Sequence, residues 1–239
     1  MHPSFEFINH RPWPLPEKPW RGRQTWTDLA FIHYEITEAD LRPYIPDELE
    51  IDTFDGAAWI GLVPFDMKGI AFRGLPKVPG LSHFPEINVR TYVIRDGKPG
   101  VWFLSLDVPN PVAVWGARKF FHLPYHRADI RLTVDGKQTS YYAKRDTRLF
   151  DGAYSGGSFI DPPADSFERW ASERYCLYSQ DTTGRLYRGQ IHHKTWPLQS
   201  ATLHLNEQTY LHNLNVKDRH PVILFSKSID VAIWLLEQI

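Results

Sequence analysis

NPVAVWGARKFFHLPYHRADIRLTV, residues 110–134, holds a helix, a break and a strand in a single run. Asn110 is a good N-cap, and Pro111 falls in the first turn, where its missing amide costs nothing. Ala113, Val114, Ala117, Phe120 and Phe121 recur at helical spacing and form the expected buried stripe. Pro124 breaks the helix, and a strand is expected over 125–134. Along it Ala128, Ile130, Leu132 and Val134 alternate with Arg127, Asp129, Arg131 and Thr133. His126 shares the apolar parity and Tyr125 the polar one. A capped helix before a proline orients residues 124–126 firmly, as a site requires and as a plain core also requires.

Outward from this run the pattern is β-rich. Asp-Gly pairs stand at 55–56, 96–97 and 135–136 between strand-like runs. Both central residues of a type I′ turn need positive φ, which suits Asp-Gly. Three hairpins are expected: 48–54 with 57–65, 86–94 with 100–107, and 125–134 with 138–145. Residues 24–36 read as a long strand covered on both faces. Thr37 with Asp40 resembles a capping box for a short helix. Asp165 or Ser166 caps another through about Ser172, and 173–179 pairs with 184–196. A strand or two is expected from residues 222–239. The fourth Asp-Gly pair opens GAYSGGSFIDPP, 152–163, expected as a loop. Gly74 to Pro85, rich in proline and glycine, reads as a long cover. The prolines of residues 1–22 make an extended arm lying over the body. No linker, repeat or low-complexity tract appears, so residues 1–239 are expected to form one domain.

Composition narrows the function. A net charge of −1 in 239 residues gives no global field for nucleic acid or an anionic membrane. The single cysteine, Cys176, forms no internal disulfide, which fits a reducing cytoplasm. No apolar run suits a signal peptide or a membrane span. Nine Trp, eleven Tyr and fourteen Phe point first to core packing and second to a lined cavity. GxGxxG, Walker, HExxH and CxxC motifs are absent. Ser155-Gly156-Gly157-Ser158 reads as loop before anion cradle. His192 and His193 are adjacent, and adjacent strand residues point to opposite faces, so they share no metal ion. Neither a metal nor a cofactor is expected.

Longer motifs carry a resemblance. ERYCLY at 173–178, LYR at 186–188 and HHKTWPLQ at 192–199 resemble the YqjF-like family of uncharacterised bacterial proteins. So do RPWPLP at 11–16, DTFDG at 52–56, FPEINVRTY at 84–92 and PGVWF at 99–103. Thr195 departs from the pattern, which more often has proline. That family looks like a remote relative of acetoacetate decarboxylase. The resemblance implies an α+β, mostly β fold: a closed, cone-like β-barrel of antiparallel hairpins with a central cavity and a few short flanking helices. It rests on Phe84-Pro85-Glu86, whose glutamate would face the active site, and on ARKFFHLPYH at 117–126. The decarboxylase's two lysines fall on Tyr125 and His126, and its helix glutamate on Lys119. A phenol and an imidazole cannot form the protonated imine such a reaction needs. Schiff-base decarboxylation is therefore excluded at this position unless Lys119, Lys144 or Lys194 reaches in.

The candidates that survive are few. Glu86, Asn88, Arg90 and Tyr92 share one strand face, and parity alone places that row in a cavity or in solvent equally. The resemblance for Glu86 favours the cavity. Glu86 and His126 are the acid/base candidates, with Tyr125 as a hydrogen-bond donor. Arg90 and Arg118 would hold an anion, and Asn88 lies between. The expected function is binding, with or without conversion, of a small organic acid or carbonyl compound. A non-catalytic ligand-binding module and a structural protein with a filled barrel are the alternatives. The expected partner is a small molecule, with a homo-oligomer compatible, and neither nucleic acid nor membrane is expected.

Overall fold

A computed structural model describes residues 2–74, 82–217 and 220–239. In chain order the first elements are β1 (Gly22–Ile36), α1 (Glu38–Leu41), β2 (Glu50–Ile51), β3 (Ala58–Phe72), β4 (His83–Arg95) and β5 (Lys98–Val108). Next come α2 (Pro111–Phe121), β6 (Tyr125–Arg127), β7 (Asp129–Asp135), β8 (Gln138–Arg145), β9 (Arg148–Phe159) and α3 (Phe167–Ser172). The chain finishes with β10 (Cys176–Gln180), β11 (Leu186–His192), β12 (Leu198–Gln208), β13 (Val222–Ile233) and β14 (Glu237–Gln238).

These strands close on themselves. The path β11-β10-β5-β4-β3-β1-β13 is hydrogen-bonded throughout. Strand β13 then pairs back onto β11 through Ile233 with Ile191 and Ala232 with His192. The result is the expected β-barrel. From β13 the sheet continues through β12, β9, β8 and β7 and folds over the outside of the ring. Tyr141, Ala143, Phe150 and Tyr154 of that outer layer pack with Ile32, Leu62, Ile87 and Val89 of the ring. Inside the ring, Phe31, Val63, Phe65, Val108 and Val231 form a second core with Trp196. Helix α3 closes one end, packing Phe167 and Trp170 onto Tyr92 and Val101. Helix α2 and Tyr125 cover the other, where Ala113 and Val114 reach the inner core.

The turn chemistry explains much of this order. Asp96 (φ 53°) and Gly97 (φ 67°) adopt the left-handed conformation that joins β4 to β5. Thr37 accepts from the Asp40 amide at 3.0 Å and starts α1; Ser166 accepts from the Arg169 amide and starts α3. The arm lies over the body, with Arg11 donating to the Ile191 carbonyl at 2.6 Å and to Gln190 Oε1 at 2.9 Å.

Four expectations are corrected. The hairpin at Asp55-Gly56 shrinks to one bridge between Phe54 and Ala57, because β2 pairs with β4 instead. The strand expected over 125–134 is two: β6 runs parallel to β5, while β7 pairs with β8. The Gly/Ser-rich segment after Asp151 is no loop, since β9 continues through Phe159. A Cβ at Gly156 would lie 2.3 Å from a Phe225 ring carbon, so glycine there admits a close neighbour. Helix α2 has no buried residue, and Phe120 of the expected stripe is 59% exposed. Strand β12, with Ala201, Leu203 and Leu205 alternating against Thr202 and His204, was not foreseen. Most of the expected cover, 75–81, lies outside the described residues.

Candidate functional site

Alternation along β4 turns Glu86, Asn88, Arg90 and Tyr92 to the ring interior, and all four are buried. The row is therefore polar and inward-facing. Its neighbours on β3 and β1 face the same way: Phe65 pairs with Glu86, Val63 with Asn88, and Gly61 with both Arg90 and His33.

Glu86 occupies the end covered by α2 and β6. Tyr125, the first residue of β6, donates its hydroxyl to Glu86 Oε2 at 2.9 Å. Burial pushes the Glu86 carboxyl up to about 7; hydrogen bonds from Tyr125 and Asn88 oppose the rise, and the charge of Asp107 adds to it. Burial and the adjacent carboxylate drive the Tyr125 phenol well above its ordinary value, so it remains a donor at neutral pH. A carboxyl near 7 beside a fixed phenol can give or take a proton.

Arg90 occupies the end closed by α3. Its guanidinium lies over Phe31 at 5.1 Å and Tyr92 at 5.6 Å. Nη2 donates to the Ala171 carbonyl at 3.3 Å and, weakly, to Tyr92 Oη at 3.4 Å; Nε is buried without a partner. Among the described residues no carboxylate pairs with it. Neighbouring Arg174, by contrast, is paired with Asp52 and stacks on Tyr92 and Trp170. His33 Nε2 lies 2.6 Å from Tyr92 Oη. Burial and the two arginines hold this imidazole well below its ordinary value, so it is neutral.

His126 and Arg118 are elsewhere. Adjacent strand residues face opposite ways, so His126 points outward where Tyr125 points in. It pairs across the backbone with Asp107, and Arg118 Nη2 lies 3.1 Å from its Nδ1. Arg118 also donates from Nε to the Tyr125 carbonyl at 2.6 Å. The six sequence candidates thus divide: Glu86, Asn88 and Arg90 face the ring interior, with Tyr125 meeting Glu86 at one end and Arg90 lying toward the other, while His126 and Arg118 gather on the outer face.

Lys119, Lys144 and Lys194 are all exposed. Lys119 rests over Trp115 at 5.0 Å, on the open side of α2. His192 and His193 diverge: His192 Nε2 meets the Ser4 carbonyl at 3.0 Å, and His193 Nε2 meets that of Arg174 at 3.2 Å. Among the described residues no group of three His, Cys, Asp or Glu is placed to hold a metal ion. No helix among them is long and apolar enough to cross a membrane. Sequence reasoning missed His33, Arg174 and Asp52. His33 shares Phe31's parity on β1, a usable signal; the pairing of Asp52 with Arg174 spans the chain and left none.

Comparison with known proteins agrees with this fold. Residues 23–230 match the family DUF2071, described as an uncharacterized conserved protein. The chain belongs to that family. It is 39% identical over 230 residues to the uncharacterized protein YqjF of Bacillus subtilis (strain 168), covering 94% of this chain and 95% of that one. Acetoacetate decarboxylase from Legionella pneumophila is similar in fold, with TM-score 0.63 and 17% identity over 99% of this chain and 94% of its own. An acetoacetate decarboxylase-like enzyme from Sphingomonas wittichii RW1 has TM-score 0.64 and 11% identity, covering 98% of each chain. The enduracididine biosynthesis enzyme MppR, complexed with pyruvate, has TM-score 0.66 and 14% identity, covering 95% and 92%. The family and the decarboxylase-like fold expected from the motifs are both present.

Proposed function

We propose that this DUF2071 protein binds a small organic acid or carbonyl compound inside its ring, between Arg90 and the Glu86–Tyr125 pair, and does so without a lysine Schiff base. The observation that carries the reading is Arg90. A buried guanidinium without a carboxylate bears a desolvation cost that a ligand carboxylate, bound through its planar fork, offsets. Asn88 Oδ1, buried without a partner, lies along the same row toward Glu86. In this reading Glu86 moves the proton, Tyr125 holds a carbonyl or hydroxyl oxygen, and neutral His33 fixes Tyr92 beneath the anion. MppR's pyruvate complex supports the ligand class.

Titration calorimetry with pyruvate and longer keto acids tests this. Binding to the native chain is expected, weakened about tenfold or more by Arg90→Gln, in line with a charge-assisted pair. Equal affinity in both proteins would remove Arg90 from the site. Borohydride treatment with a keto acid is expected to leave the mass unchanged; a trapped adduct would restore lysine chemistry. A second reading, a barrel filled for stability alone, draws on the large inner side chains Phe31, Phe65 and Trp196. Absence of binding by every acid would favour it.

A further inference from the structure

The outer face of β5 and β6 carries a second polar cluster that the interior reading does not use. Asp107 is fully buried there; its Oδ2 accepts from Arg145 Nε at 2.7 Å and from the Tyr210 hydroxyl at 3.0 Å. Its Oδ1 is buried without a partner, as is Arg145 Nη2. Arg148, across the β8–β9 turn from Arg145, donates to Ser105 Oγ at 3.4 Å and is only half-buried. Arg118 approaches the same imidazole, His126, from α2. The charged groups facing His126 are therefore Arg118, Arg145 and Arg148 against one carboxylate, Asp107. Asp146 adds only an exposed contact to Arg145 at 3.9 Å.

A groove adjoins this cluster. Strand β5 changes partners along one edge, pairing with β10 at Val101 and Trp102 and with β6 at Leu106–Val108. Among the described residues, none pairs with 103–105 on that edge. A groove of about 500 Å³ opens in the gap, lined by Trp102, Phe103, Leu104, Tyr178, Ser179 and, on its wall, Arg118. The Ser179 hydroxyl is buried there without a hydrogen bond. Apolar walls with a few unsatisfied polar groups are what a small-ligand site presents.

We infer that Arg118, Arg145, Arg148 and His126 bind an oxyanion, carboxylate or phosphate, on a small molecule whose apolar part occupies the adjoining groove. Three guanidiniums set against Asp107 and the exposed Asp146 leave uncompensated positive charge, and Asp181 also lines the groove. The free Arg145 Nη2 and the half-buried Arg148 supply fork donors for two oxygens. This site is independent of the interior one, since the sheet separates them.

The test is calorimetric titration of the full chain with inorganic phosphate and, separately, with benzoate at pH 7, following the His126 ring by NMR. Binding of at least one probe is expected, with the His126 pKa rising on saturation as the anion offsets the arginines. Arg118→Gln and Arg148→Gln, both at solvent-accessible side chains, are each expected to weaken it about tenfold. Arg90→Gln is expected to leave the response of the His126 ring unchanged, which distinguishes this site from the interior. Trp102→Ala weakening benzoate but not phosphate would identify a carboxylate with an apolar body; preference for phosphate would identify a phosphorylated ligand. The inference is overturned if neither probe binds up to on the order of 10 mM. It is equally overturned if the His126 response survives both Arg118→Gln and Arg148→Gln, or if Arg90→Gln abolishes that response.

Discussion

Glu86 and Asp107 are close neighbours facing opposite ways. Ile87 pairs with Asp107 across the β4–β5 ladder, so Glu86 lies one residue away on the other side of the same sheet. Both carboxyls are buried. Outside, Asp107 is held by a guanidinium and a phenol. Inside, Glu86 has a phenol and an amide and, among the described residues, no cation, and its carboxyl rises to about 7. The same sheet thus makes one carboxylate part of an ion pair and leaves the other able to hold a proton. Both are buried, but only Asp107 has an arginine partner among the described residues.

The largest expected effect lies on the outer side. Arg145→Ala leaves Asp107 buried against Tyr210 alone, a loss of about 3–5 kcal/mol by the usual cost of orphaning a buried ion. Urea denaturation at pH 7 measures it, and a loss under about 1 kcal/mol would mean that Asp107 does not depend on its partner.

Glu86 sharpens the contrast through pH. In the folded chain it keeps its proton up to about pH 7, whereas an unfolded glutamate releases it near 4.5. Between those values the native state holds the extra proton, so stability falls as pH rises, by about 3 kcal/mol at most. Glu86→Gln is expected to remove that slope. Paired denaturation curves at pH 5 and 8 should show native and variant diverging at pH 8, the variant being the more stable. His33 works in the opposite direction, its neutral folded form losing stability as pH falls through the unfolded histidine range, and the paired design cancels it.

Arg118 gives the smallest effect. It is exposed, and its bonds reach only the Tyr125 carbonyl and the His126 ring, so Arg118→Gln should cost about 0.5–1 kcal/mol. A larger loss, read from the thermal midpoint, would show that β6 depends on α2 for its position.

The motifs around Glu86 and Tyr125 were legible because both lie where local signals are strong. A strand of clean period two carries Glu86, and a capped helix with a proline break delivers Tyr125. The resemblance proposed both as candidates, but that Tyr125 donates to Glu86 at 2.9 Å, rather than His126 standing beside it, was not foreseen. The division of His126 from Tyr125 was visible in their opposite parity. Their placement on opposite faces of the ring needed the parallel pairing of β6 with β5, which no local pattern encodes. Strand β9 was misread because glycines that admit Phe225 and Ser200 look, in sequence, like those of a loop. Phe120 was misplaced for the converse reason: helical spacing marks an apolar stripe without saying whether anything covers it.

The ring is joined unevenly. Strand β1 runs along β13 from Gly22 to His33, whereas β11 meets β13 only at Ile191 and His192. Over that short joint the arm stretches, with Arg11 on the Ile191 carbonyl and Phe5 stacked on His192 at 5.4 Å. In amide exchange the joint is accordingly the place where the barrel should first admit water, and the proline-rich arm sets how rarely that happens. The arm, residues 2–21, is thereby expected to bear on how rarely water reaches the buried carboxyl of Glu86.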